Sequence, residues 1–196
     1  DLTLDNLGNL YLSGNYKTSC DFDPSPATTI RSNDGNSDFY VGKYTENGVL
    51  LWAIALDGTN DDYARSIAVD ANYNVYVAGT FMDSLDTDPS GIDHFVVSSA
   101  PGNQDYFVAQ YNSLGGMNWA FGVGNGQVAT CNSLKIDGNN TVYLTGSFSG
   151  TMDFDPSVNT ATQSAVAGYD IYLAVYDSYG EYVWAKNIGG NSNDEG

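Results

Sequence analysis

The stretch Asp70–Gly79, DANYNVYVAG, is written twice more in this chain: as DNLGNLYLSG at Asp5–Gly14 and as DGNNTVYLTG at Asp137–Gly146. Gly14, Gly79 and Gly146 therefore stand 65 and 67 residues apart. The register holds outward from there. DFDP at Asp21–Pro24 returns as DTDP at Asp86–Pro89 and as DFDP at Asp153–Pro156. DFYVGKY at Asp38–Tyr44 returns as DYFVAQY at Asp105–Tyr111 and DIYLAVY at Asp170–Tyr176. Trp52, Trp119 and Trp184, all the tryptophans of the chain, fall in one slot. A period of this length marks stacked supersecondary units, with equivalent boundaries at 1–65, 66–132 and 133–196.

Each unit reads as four strands. The first alternates, with Leu2 and Leu4, Ile67 and Val69, or Leu134 and Ile136 as its apolar positions, the pattern of a half-buried strand. The second is a continuous apolar run, as in Val75-Tyr76-Val77-Ala78, expected where both faces are covered. The third is the DFYVGKY-type segment, and the fourth is centred on the Trp, as in Leu50–Leu56. Between strands three and four lie Glu46-Asn47-Gly48, Ser113-Leu114-Gly115 and Ser178-Tyr179-Gly180. The Gly recurs because that corner needs a positive φ. No window sustains a 3.6-residue period, so no helix is predicted. The segments that vary most between units, 25–37, 90–104 and 157–169, read as loops.

Composition narrows the function. The 196 residues hold 6 Lys and Arg against 24 Asp and Glu, a net charge of −18. A chain this acidic does not neutralise nucleic-acid phosphates or sit on anionic lipid, and no apolar run reaches the roughly 18 residues of a membrane span. With 42% hydrophobic and 13% aromatic residues, disorder is excluded as well. Cys20 and Cys131 lack CxxC spacing, so neither a zinc nor a redox site is indicated. They read as small buried residues, and a disulfide between them is not legible from sequence. Without an initial Met, signal peptide or lipidation motif, the chain reads as a mature protein or an excised segment.

Four antiparallel strands at fixed spacing form the pattern of a β-propeller blade, so the fold is expected to be all-β, three blades of one four-stranded sheet each. The run D-x-x-G-N-x-Y-x-x-G, then D-F-D-P, then D-x-Y-x-x-x-Y, W-A-K and I-G-G-N-x-N-D-E-G resembles the bacterial SBBP propeller repeat. The third unit matches best, through Trp184-Ala185-Lys186 and Ile188-Gly189-Gly190. The first two depart from it, with Leu56-Asp57-Gly58 and Val123-Gly124-Asn125 at the Gly pair. The resemblance implies a secreted or cell-surface setting in bacteria. Closed propellers hold about 4–8 blades, so three leave open edges. A cut from a longer propeller, two chains in a six-bladed ring, and an open stacked array all remain as solutions.

Recurring carboxylates are the first candidate site. Each unit has a D-x-D pair, at Asp21 and Asp23, Asp86 and Asp88, Asp153 and Asp155, and an Asp opening strand three, at Asp38, Asp105 and Asp170. Alternate residues of an extended segment face one way, so D-x-D brings two like charges together. Ca²⁺ would compensate them with oxygen ligation. The structural alternative is that Asp before Pro accepts backbone N–H bonds and closes a turn. Tyr11, Tyr76 and Tyr143, with Tyr44, Tyr111 and Tyr176, recur too regularly for a site and read as packing. A binding site should instead differ between units, in the three variable loops. His94 is the single histidine, and the three Glu are Glu46, Glu181 and Glu195. None of them builds a GxSxG, HExxH or phosphate-cradling motif, so no catalytic residue is assigned. The expectation is a non-enzymatic extracellular module, a rigid scaffold for adhesion, display or assembly. Its partner would be a protein or glycan at a surface, with Ca²⁺ as the one candidate cofactor and self-association through blade edges. A carbohydrate-binding propeller using the variable loops is the alternative.

Overall fold

The computed structural model describes residues 1–32, 37–56, 58, 60–90, 96–98, 101–124 and 126–196. Its strands are β1 (Leu2–Leu4), β2 (Leu10–Tyr16), β3 (Ser19–Asp21), β4 (Ile30–Ser32), β5 (Asp38–Tyr44) and β6 (Leu50–Leu56); then β7 (Tyr63–Val69), β8 (Val75–Met82), β9 (Ser84–Asp86), β10 (Val96–Ser98), β11 (Gln104–Tyr111) and β12 (Met117–Val123); then β13 (Ser133–Ile136), β14 (Val142–Asp153), β15 (Thr162–Tyr176) and β16 (Tyr182–Ile188). They form three four-stranded antiparallel sheets, β1-β2-β5-β6, β7-β8-β11-β12 and β13-β14-β15-β16. Among the described residues there is no helix, and so none long and apolar enough to cross a membrane. The fold is all-β, built of propeller blades.

Polar side chains set the turns. Asp70 Oδ1 accepts the amides of Asn72 at 2.8 Å and Asn74 at 2.9 Å, and Asp5 and Asp137 repeat the arrangement. The turns between strands three and four have Gly48, Gly115 and Gly180 at φ of 78°, 87° and 81°, where a side chain would be strained. Gly79 and Gly146 answer a different need. A Cβ on either would come within 2.0 Å of a carbonyl oxygen, that of Tyr63 or Thr130, so strand two passes its neighbouring backbone closer than any other residue permits.

One expectation changes. The variable segments are not loops throughout. β3 pairs with β4 and β9 with β10 as short hairpins, and in the third sheet the same hairpin fuses with strands two and three. There β14 and β15 pair on past an irregularity between Ser149 and Thr151, as far as Asp153 opposite Thr162. Locally β-prone runs such as Thr29-Ile30-Arg31 outweigh their variability.

The core lies between sheets. One cluster joins Tyr11, Phe39, Val41, Ile54 and Leu56 of the first sheet to Ile67, Val75, Val77 and Phe107 of the second. Another joins Tyr76, Tyr106, Val108 and Phe121 of the second to Leu134, Val142, Leu144, Tyr172 and Tyr176 of the third. The middle sheet is therefore covered on both faces, and Val75 to Thr80 are all buried.

Candidate functional site

The D-x-D carboxylates sit at the hairpin tips and bond to backbone. Asp21 Oδ1 accepts the amides of Asp23 at 3.1 Å and Thr29 at 2.8 Å. Asp153 Oδ1 accepts those of Asp155 at 3.1 Å and Ala161 at 2.7 Å, and Asp86 Oδ1 accepts that of Asp88 at 3.0 Å. The second Asp of each pair, Asp23, Asp88 or Asp155, accepts the amide of Ser25, Ser90 or Ser157 at 2.8–2.9 Å. The tip is then tied to strand three. The hydroxyls of Tyr44, Tyr111 and Tyr176 donate to the carbonyls of Phe22, Thr87 and Phe154 at 3.0, 3.0 and 2.8 Å. Turn closure thus accounts for these residues' repetition, and among the described residues no group of three or more His, Cys, Asp and Glu is arranged to hold a metal ion.

The strand-three aspartates lie apart from the tips, buried at the start of β5 and β11 and within β15. Asp38 Oδ1 accepts the Gly58 amide at 3.4 Å. Asp170 Oδ2 accepts the Val166 amide at 3.0 Å and the Asn187 amide group at 3.3 Å. Gly124 lies on the Asp105 carboxylate and Gly189 on that of Asp170, where an added Cβ would fall 1.8 and 2.2 Å from the carboxyl carbon. Burial pushes the Asp105 carboxyl up to about 7. Asp62, which the sequence did not single out, is pushed up to about 8 by burial and by the charges of Asp38, Asp61 and Asp83, against a Met82 amide bond that lowers it. A carboxyl poised near neutrality invites a proton-transfer role, but Asp62 and Asp105 are buried. The run Asn60-Asp61-Asp62, restated as Asn193-Asp194-Glu195, was the available signal.

Two accessible clefts lie between the second and third sheets, on either side of Trp119. Its indole N–H donates to the Ser178 carbonyl at 3.2 Å, and its ring stacks on Phe121 with centroids 5.8 Å apart and planes 10° apart. On one side is a cleft of about 380 Å³, lined by Asp155, Ser157, Asn159, Tyr179, Glu181 and Tyr182. On the other side a polar cleft of similar size is lined by Asn74, Gln110, Asn118 and Asn140.

Between the first and second sheets, Trp52 makes the same bond to Ser113 at 3.0 Å. Leu114, Gly116 and Met117 stand there in place of Tyr179, Glu181 and Tyr182. The Tyr179, Glu181 and Tyr182 lining is therefore particular to one interface, the property expected of a site, whereas Trp119, Asp155 and Ser157 have counterparts in Trp52, Asp88 and Ser90. The variable segment 157–169 contributes only Ser157 and Asn159 to it. His94 and residues 91–93, 95, 99 and 100 of the second variable segment lie outside the described residues. Cys20 and Cys131 are both free thiols.

No family model matches the chain. It is similar to an uncharacterized WD repeat-containing protein of Acanthamoeba polyphaga mimivirus, 27% identical over 222 aligned positions. The match takes in the whole chain and 16% of that protein's length. WD repeats are four-stranded propeller blades, so the likeness agrees with the three sheets at the level of a propeller-like repeat protein. No family model matches and the relative is viral, so these comparisons support a propeller-like repeat protein and not the bacterial repeat that the motifs resemble.

Proposed function

We propose that the chain is a non-enzymatic scaffold of β-propeller blades that offers the cleft beside Trp119 to a protein partner. One observation carries this. The recurring D-x-D aspartates and Trp52 and Trp119 are engaged in turns and inter-sheet bonds, whereas Tyr179, Glu181 and Tyr182, which replace smaller or apolar residues, gather in the cleft. Rigid aromatic side chains beside a Trp are the usual anchors of protein interfaces. An exterior setting, with adhesion or display as the task, belongs to this reading and is supported by the charge of −18, which keeps a surface soluble and dispersed.

The test is a photo-crosslinker at Tyr179, used in the source cell to capture the neighbour, followed by binding of the purified neighbour. The Tyr179→Ala, Glu181→Ala double variant is expected to bind at least about tenfold more weakly, the effect of losing one anchor residue. Unchanged binding would overturn the reading. A second reading, a glycan in the same cleft, is favoured by the rings of Trp119, Tyr179 and Tyr182 lining it together with Asp155, Asn159 and Glu181. Glycan-array signals abolished by Tyr179→Ala would establish it, and a blank array would remove it.

A further inference from the structure

We infer that the outer face of the third sheet binds the outer face of the first sheet of a second copy of this chain, head to tail, by repeating the contact already made twice within it. Four observations converge. The first is which slots are open. Leu2 is 54% exposed, while its counterparts Ile67 and Leu134 are 2% and 0% exposed in the two inter-sheet cores. Ile188 is 56% exposed, while its counterparts Leu56 and Val123 are 1% and 4%. Leu2 is thus bare on the side where a preceding sheet would sit, and Ile188, with Tyr143 and Trp184, on the side where a following sheet would sit.

The second is the tryptophan contact. The Trp52 ring lies on the turn at Gly115, 3.4 Å from where a Cβ would be, and the Trp119 ring on the turn at Gly180, at 2.9 Å. Gly48 has the same positive φ but nothing within 4 Å of that position, and Trp184 ends the series exposed. One end lacks a tryptophan and the other lacks a turn. The third is a half-built core: Tyr16, Phe22 and Ala53, packed with Cys20, Tyr40, Leu50 and Ala55 on the open face of the first sheet. Most of their counterparts in the later sheets belong to the completed cores, as Phe81 and Ala120 do in the second and Phe154 and Ala185 in the third.

The fourth is charge. Lys186 takes the slot of Ile54 and Phe121, and Glu46 the slot of Ser113 and Ser178. The fourth-strand slot holding Lys186 packs on the facing turn, as Ile54 does at Gly115, 3.4 Å from where a Cβ would be. The two departures therefore fall on opposite sides of the same contact, one basic and one acidic, and both side chains are exposed.

Such an interface is heterologous, so it closes into a ring or extends, and it has a polarity that can be tested. Sedimentation equilibrium is run at about 100 µM, enough to fill an interface of micromolar affinity. The wild-type chain is expected to exceed its monomer mass of 21.0 kDa. Leu2→Asp, blocked at the head, and Trp184→Ser, blocked at the tail, are each expected to stay monomeric. Mixed, they should give a two-chain species and nothing larger, because each retains the end the other lacks. Lys186→Glu should weaken association about tenfold, and adding Glu46→Lys in the same chain should restore it. All four positions are solvent-facing, so circular dichroism should stay unchanged. A monomeric wild type would leave these faces to a covalently joined neighbour or to solvent and would overturn the inference. So would assembly by either blocked variant alone, or a mixture that remains monomeric.

Discussion

Asp62 and Asp105 are carboxyls that the folded chain holds more comfortably uncharged. Their folded values of about 8 and 7 stand above the ordinary 3.8, so folding favours the protonated forms. The stability they contribute is complete below about pH 4 and is lost as pH rises through 7 and 8. Asp62→Asn, which keeps an acceptor for the Met82 amide, is expected to gain on the order of 1 kcal/mol at pH 8 and little at pH 4. Urea denaturation at the two pH values measures this, and an equal loss at both would show that the amide bond matters more than the charge. The tip aspartates predict the opposite sign. Asp153→Ala strands two amides and is expected to cost about 1–2 kcal/mol, equally in calcium and in chelator. A melting temperature that calcium raises in the wild type but not in this variant would instead assign an ion to the hairpin tip.

The turn and the strand that faces it act as one element. Gly48→Ala meets only backbone strain and should cost about 1 kcal/mol. Gly180→Ala meets the same strain and also pushes Trp119 off its seat, so about 2–3 kcal/mol is expected. Thermal melts of the pair check the difference, and equal costs would mean the ring moves freely. Elements were readable in the sequence wherever one side-chain type serves one backbone need. Glycines at positive φ, aspartates capping turns and the continuous run Val75–Ala78 all fell where their chemistry put them. The hairpins at Ile30–Ser32 and Val96–Ser98 were not readable, since three residues are too few to show a period and their partners come from the D-x-D segment. The cleft escaped for another reason. It is assembled from Trp119 on one sheet and Asp155 and Tyr179 on the next, and linear order does not show such proximity. The substitution of Tyr179-Gly180-Glu181-Tyr182 for Leu114-Gly115-Gly116-Met117 was its visible trace.

At the scale of the whole molecule, 24 acidic residues against 6 basic ones repel one another over a screening length of about 10 Å at 0.1 M salt. Raising sodium chloride from about 10 mM to about 0.5 M should therefore raise the melting temperature, and an unchanged melt would show that the charges are already spread beyond mutual reach. Protection should also be graded. Amides of β8 and β11 are covered from both sides and should exchange last, those of β1 and β16 first. Hydrogen exchange read by mass spectrometry checks that order. The indole-to-turn bond, made by Trp52 and again by Trp119, has a bearing on ancestry as well. Because every repeat carries both halves of the latch, a gene can gain or lose one whole period without redrawing any contact. Half a period would leave a tryptophan looking at a strand, so duplication in such a lineage is held to whole-number steps.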